Sequence, residues 1–559
     1  MKFHRTRKLQ KNTFRFRRWT WFMLLTVVTA LGCGGGSGNG SDSTGYRTRE
    51  YFPISSAWET DHWTLFFDEE EYLVNGVATK AMVDTSKAEA YFWSNDENGI
   101  RLHGVWTPAK QTSSFSQPVQ IAGAFCEVGN KKMSTSVVNG EALVFTTEIL
   151  GEESVTTLAG VVENCLKFRI HVFPFGEEAA NFGYESLWLA RNVGFVKAQS
   201  DTNCYFPLFS HPGETRQLIG YHITPSDMPD EEIAVRKAYQ QWVTHWNNAD
   251  MTGIGDMTHS GYFEKCRNKA AALDYWNNFL FNSEEYNLFT AIEDVILSGE
   301  DAFVIREYMD SYIDPAKTPT TNWGRSTIRL KRTSGIWQIY GDQFDVYPSW
   351  SSVYPRAVPG STMFAVPIEI TDCATGQWAE SAEQIASIKL TGPPGSAIDY
   401  LELVDTWDPD AYWSGFWPAD MTIDPNAKIG FYTFEFTDVY GNYALMTDYL
   451  STLAILDAPV LVSPADGATH VFPDVTFQWE PVVGANGYLL EVFEVDEPTG
   501  MLSIKVLGSY TNQTSYSTVL DPEKTYKWRV RARYYAPNDS DLFDSESRCS
   551  FWKIETSAN

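Results

Sequence analysis

Arg329-Leu-Lys-Arg-Thr-Ser-Gly-Ile-Trp-Gln-Ile-Tyr-Gly-Asp-Gln343 decides the middle of this 559-residue chain. It reads as a closing β-hairpin, with residues 324–330 as one strand and 336–340 as its return. Upstream, residues 288–297 and 302–312 are half-buried runs joined by the turn Ser298-Gly-Glu-Asp301. Before them comes Asp230-Glu-Glu-Ile-Ala-Val-Arg-Lys-Ala-Tyr-Gln-Gln-Trp-Val-Thr-His-Trp246, which is helical. Its acids occupy the first turn, where the helix dipole favours them. Val235, Ala238, Tyr239, Trp242, Val243 and Trp246 recur on one face. A second helical region is expected over about residues 258–281. Helices followed by an antiparallel meander spell an α+β domain over 222–345.

This segment resembles the cone-shaped family that includes nuclear transport factor two and the ketosteroid isomerase relatives. The residues carrying the resemblance are Ala238-Tyr239, Trp242, Trp246, the hairpin 296–305 and the closing hairpin quoted above. Enzymes of that family place an Asp or Glu base and a Tyr, His or Asp donor inside an apolar cavity. The resemblance therefore directs attention to Tyr239, Trp242, His245, Trp246, Asp256, His259 and Tyr262 as a possible pocket. The competing reading is that the aromatic residues fill the cone and the histidines sit at helix ends or in loops. Fold alone does not grant function.

The flanks are β. Residues 51–205 carry the hairpin signals Asn75-Gly76, Asn98-Gly99 and Asn139-Gly140 between short half-buried runs. Their order resembles bacterial secreted and lipoprotein β-domains with curved sheets, a class that implies no single activity. Residues 346–455 hold short alternating strands in the manner of an immunoglobulin-like sandwich. Within them, Asp405, Asp408 and Asp410 lie on an expected loop whose oxygen density suits calcium, although an exposed acidic turn explains it as well. Beside them Trp407, Tyr412, Trp413, Phe416 and Trp417 make an aromatic patch, fit either to stack on sugar rings or to pack a core. Residues 457–559 resemble a fibronectin type III domain: Phe477-Gln-Trp479 points a tryptophan inward, and Tyr526 suits the tyrosine-corner position. The expected architecture is multidomain and mainly β: a curved antiparallel sheet, a cone and two sandwiches.

The amino terminus supplies an address. Residues 1–32 join a basic stretch (Lys2 to Arg18) to a short apolar core (Trp19 to Leu31), too short to cross a bilayer at about 20 residues per span. They resemble a bacterial lipoprotein signal peptide. That resemblance implies Cys33 as the lipidated residue and 33–50 as a Gly/Ser-rich tether, reaching on the order of 20 Å. It also implies an extracytoplasmic protein on the membrane, the outer one where there are two.

Charge and motifs exclude several functions. The chain carries a net charge of −28, and loss of the leader's bases makes the remainder more acidic. Such a surface repels phosphate backbones, so nucleic acid is a poor partner. There is no P-loop, G-x-S-x-G, H-E-x-x-H or dinucleotide fingerprint. No cofactor is expected. The seven cysteines show no C-x-x-C spacing, which leaves at most one bridge within a domain and buried thiols otherwise. The leading functional expectation is a lipid-anchored scaffold or binding protein contacting protein or carbohydrate. The alternative is a small-ligand binder, or an isomerase- or hydrolase-type enzyme, working from the cone cavity.

Overall fold

The computed structural model describes residues 46–558 except 55, 62, 110, 224–227, 314–318, 352, 359–360, 367, 376, 379–383, 394–395, 397–402, 409–412, 419–427, 497–500 and 536–544. Cys33, Asp410 and Tyr412 lie outside the described residues. The protein is mainly β, built from several sheets in multiple domains. Among the described residues no helix is long and apolar enough to cross a membrane.

The first body is a twelve-stranded antiparallel sheet. Asn75-Gly76 and Asn139-Gly140 both have positive φ at both positions, the geometry that two-residue hairpin turns require. Thr215–Ile223 inserts between Ser56–Thr60 and Gly194–Ser200, so the sheet runs past residue 205. The sheet curls until its edge strands Gln111–Ala122 and Lys131–Val138 face each other. Serines bridge the seam: Val137 N donates to Ser116 Oγ (2.9 Å) and Ser136 Oγ to the Gln117 carbonyl (2.8 Å). Its interior is filled by Trp58, Phe67, Trp93, Phe115, Phe168 and Phe195 among others.

The second body carries helices α1 (Asp230–Asn247), α2 (Met251–Met257) and α3 (Lys269–Asn282) against three long strands, Glu284–Ser298, Asp301–Ile313 and Pro319–Thr333. The closing strand Ile336–Ile339 pairs back onto the third of these. The second helix begins at residue 269, not 258. Between the helices the chain makes a small hairpin, Phe263–Glu264 with Arg267–Asn268, and Asn268 then caps α3 by accepting from Ala271 N (3.0 Å).

The alternation of Asp301–Ile313 organises everything that follows. Ala302, Val304, Arg306 and Tyr308 face the helices; Ile305, Glu307 and Met309 face away. On that outer face Met309, Phe289 and Ala291 pack against Phe66, Val83, Phe92 and Trp106 of the curved sheet. Several strands of the curved sheet are therefore buried on both sides.

The cone sheet does not end with the cone. Ser326 pairs with Met446, so Tyr443–Leu450, Gly430–Asp438 and Ile385–Thr391 continue it. These strands face a second sheet made of Val346–Ser351, Ile368–Asp372, Trp413–Pro418 and Leu403–Asp408, around a core that includes Ile368, Ile388, Phe434 and Phe436. Asp405, Trp407 and Asp408 thus stand in a strand, where a loop was expected: Asp405 pairs with Phe416, Trp407 with Ser414 and Asp408 with Trp413. Trp417 pairs with Val404. Carboxylates disfavour strands, but Thr406, Trp407 and the aromatic return strand outweigh them.

The last body opposes a small sheet (Leu461–Ser463, Asp474–Trp479, Ser515–Val519) to a larger one containing Gly487–Asp496 and Thr525–Tyr534. Asp521 N donates to the Tyr526 hydroxyl (3.1 Å), tying that strand to its preceding turn.

Cys266 and Cys373 form a disulfide that joins the cone to the following sandwich. The expectation confined any bridge to one domain, because spacing along the chain does not reveal that two turns from different domains meet. Cys126, Cys165 and Cys204 are buried thiols.

Candidate functional site: the interior of the cone

One half of the cone is filled. Trp242, Trp246 and Trp276 pack edge to face, with ring centroids 5.5 Å apart for Trp242–Trp246 and for Trp246–Trp276. Tyr262 closes on Trp276 at 5.4 Å and Tyr286 on Trp246 at 5.7 Å. Tyr262 also donates to Glu264 Oε2 (2.9 Å). His245 and His259 lie away from this interior. His245 Nδ1 meets Asp250 Oδ2 (2.9 Å) where α1 passes into α2. His259 lies beside Thr333 (3.0 Å) and against the Tyr340 ring. Asp256 is exposed.

The other half is polar and open. Arg306 projects inward from the middle strand. Its Nη1 donates to the Tyr239 hydroxyl (2.7 Å) and its Nε to Ser326 Oγ (3.3 Å). With that oxygen accepting, Tyr239 donates to Thr290 Oγ1 (3.0 Å), which donates to the Glu307 carbonyl (3.1 Å). The chain of donors has one direction and holds the guanidinium in place. Its carbon stands 4.7 Å from the Tyr308 ring centroid and 5.7 Å from that of Tyr239. Among the described residues no carboxylate lies within ion-pair distance of Arg306. Asp310, four residues along the same face from Arg306, is held by Asn322 Nδ2 (2.9 Å), and burial pushes its carboxyl up to about 6.

Arg306 and Tyr308 open on a cavity of about 240 Å³. Its far wall is Tyr443 to Thr447 of the adjoining strand, and its mouth is Glu264, Lys265, Asp342, Tyr347 and Pro348. Lys265 and Cys266 form the two-residue turn of the small hairpin, both with positive φ (49° and 62°). Asn-Gly serves that turn best; a Lys-Cys pair is strained there. The disulfide to Cys373 holds the turn over the mouth. Burial, with the Glu264 charge beside it, pushes the Asp342 carboxyl up to about 7.

Of the residues singled out from sequence, the structure brings together Tyr239, Trp242, Trp246 and Tyr262, three as filling and Tyr239 as the support of Arg306. Sequence reasoning passed over Arg306, Tyr308 and Lys265. The signal available was an arginine at an inward position of an otherwise apolar and aromatic strand. Among the described residues no His, Cys, Asp and Glu side chains converge as metal ligands.

No family model and no curated protein matches the chain. Solved structures similar to part of it are NTF2-like proteins. A ketosteroid isomerase-like protein from Erwinia carotovora atroseptica is 16% identical, covers 20% of this chain and 94% of its own, and has a TM-score of 0.19. An NTF2-like superfamily protein from Salmonella enterica serovar Typhimurium is 10% identical over 20% of this chain and 85% of its own, at 0.18. A conserved protein from Planctomyces limnophilus is 13% identical over 20% and 91%, at 0.19. Similarity at this level leaves function open.

Proposed function

We propose that the protein is a lipid-anchored, extracytoplasmic binder of a small organic anion, held in the polar half of the cone. The observation carrying this reading is Arg306: a guanidinium at a cavity, fixed by neutral partners, with no carboxylate among the described residues at ion-pair distance. Burying an arginine without a counter-charge is costly, and an incoming carboxylate would supply one. The cavity is at the small end for ligand sites, and Tyr308 and Tyr347 give it apolar walls for a compact organic acid. A disulfide between domains suits an oxidising compartment, which supports the address inferred from Cys33 and the leader. The first sandwich then acts as the frame: it builds one wall of the pocket through Tyr443 to Thr447 and part of its mouth through Tyr347 and Pro348.

The test is a tryptophan-fluorescence titration of the purified chain with benzoate, phenylacetate and hexanoate, since Trp323 lines the cavity and Trp242 stacks on Tyr239. At least one acid should saturate the signal, and Arg306→Met should weaken it by roughly tenfold or more. Saturation by none of them, or equal affinity in a variant that melts like the parent, overturns the reading.

A further inference from the structure

Directly behind Arg306, on the outer face of the same strand, lies a second and larger cavity of about 450 Å³. Three bodies meet there. The curved sheet supplies Ala57, Glu59, Gly220, Tyr221 and His222; the cone sheet supplies Glu293, Asp294, Ile305, Glu307 and Arg325; the sandwich supplies Phe431.

Two β-bulges shape it. Pairing between Glu284–Ser298 and Asp301–Ile313 slips between Ile292 and Asp294, so Asp294 falls opposite the outward-facing Ile305 and Glu293 is left over beside it. One strand thereby presents two successive carboxylates to the same side. The second slip, between Leu218 and Gly220, sits across the cavity. There the missing side chain of Gly220 leaves Glu59 uncovered: a Cβ would stand 3.7 Å from Glu59 Oε2.

The acids outnumber their partners. Arg325 holds Glu293, and Glu59 Oε1 accepts from Phe431 N (2.9 Å). Glu307 is 4% exposed, and among the described residues its Oε2 meets no N–H or hydroxyl donor; the carboxyl of Glu293 beside it is its one hydrogen-bonding neighbour, through a shared proton. The Nε2 of His222 also lacks a partner. Two buried carboxyls that must share a proton leave room for a cationic donor to replace it. Glu307 stands in the wall of a chamber whose lining holds four carboxylates, its own included, against one guanidinium.

We propose that this chamber is a binding site for an organic ammonium ion, whose N–H groups are taken by Glu307 and Glu59 while its alkyl part lies along Ile305, Ala57 and Phe431. A bare metal ion fits less well, because these carboxylates do not converge as metal ligands. Tyr221 and Asp294, both exposed, form a rim that an amine meets first. The groups that set its proton balance are Glu59, His222, Glu293, Asp294, Glu307 and Arg325, with Arg236 behind His222. Burial pushes the Glu59 carboxyl up to about 7; burial, and then the charge of Glu293 beside it, also holds the Glu307 carboxyl well above the usual carboxylate range. An ammonium ion therefore displaces protons as it binds.

The experiment is calorimetric titration of the purified full chain with putrescine and ethylammonium, with calcium and magnesium chloride in parallel. Putrescine should bind saturably and release protons near neutral pH, read from two buffers of different ionisation enthalpy. Glu307→Gln should weaken it by roughly tenfold or more, and the rim variant Asp294→Asn by a smaller factor. Arg306→Met, on the opposite face, should leave it unchanged, which separates this site from the anion pocket. Three results would overturn the proposal: no saturable heat with either amine, an equal response to calcium, or a well-folded Glu307→Gln that binds putrescine as tightly as the parent. If Glu307→Gln does not fold, the exposed Asp294→Asn decides: unchanged putrescine affinity there counts against the site.

Discussion

Arg306 and Glu307 are neighbours on one strand, and the pleat sends them to different cavities, one with a guanidinium that no carboxylate among the described residues pairs, the other with four carboxylates around one guanidinium. Glu59 shows what such an arrangement does to stability. Desolvation is the largest influence and raises its carboxyl to about 7; the Phe431 N–H and Arg325 offset only part of it. In the pH range from about 4.5 to about 7 the folded chain keeps a proton that the unfolded chain releases, so stability falls as pH rises through that window. The span is on the order of 3 kcal/mol at most. Glu59→Gln should match the parent near about pH 4 and exceed it by about 2 kcal/mol near about pH 8, in an amine-free buffer. Urea unfolding at several pH values checks this, and curves that stay parallel across the window would refute it.

The small hairpin carrying Lys265 and Cys266 is the element with the most to lose. Its two-residue turn is made from residues that resist positive φ, and its partner Cys373 lies 107 positions away. A cross-link closing a loop of that length restricts the unfolded chain by about 5 kcal/mol in the chain-entropy relation. Cys266→Ala with Cys373→Ala should lower the melting temperature of the parent to that of the reduced protein, and should weaken carboxylate binding as the mouth loosens. A double variant that melts like the oxidised parent would show that the bridge restrains nothing. This element also marks how far sequence reading reaches. Helix α1 was legible because its apolar face repeats over 18 residues and its acids sit at the start. The three long strands were legible from alternation. The Lys265–Cys266 hairpin interrupts an expected helix and carries neither signal, since four paired residues are too few to show a period. Arg306 was hidden for a related reason: alternation tells which residues share a face, but not that the inner face is half filled by indoles and half left open.

At the scale of the whole molecule, the cone and the two sandwiches are joined by backbone pairing, whereas the curved sheet meets the cone through packed side chains. The cone sheet runs into the first sandwich through Ser326 and Met446, and the hairpin Tyr354–Val358 with Ser361–Ala365 leaves that sandwich to extend the sheet of the last one. Where it arrives, Glu546 is fully buried, accepts from Arg533 Nε at 2.9 Å and Arg531 Nη1 at 3.3 Å, and makes an ion pair with Arg356 of the hairpin at 3.3 Å. Burial alone would raise its carboxyl; the guanidiniums of Arg531, Arg533 and Arg356 overcome that and hold it well below the usual range. Its contribution is therefore present above about pH 4.5 and is lost only as pH falls well below that. Glu546→Gln keeps the shape and removes the charge, leaving three guanidiniums around a neutral amide, at a cost of about 3–5 kcal/mol. Because Arg356 belongs to one sandwich and Glu546 to the other, the loss falls on their junction. Calorimetry should show the C-terminal sandwich of the variant unfolding in a separate, earlier transition, while carboxylate binding in the distant cone persists. A single transition at the parent's temperature would mean that strand pairing alone holds the two sandwiches together.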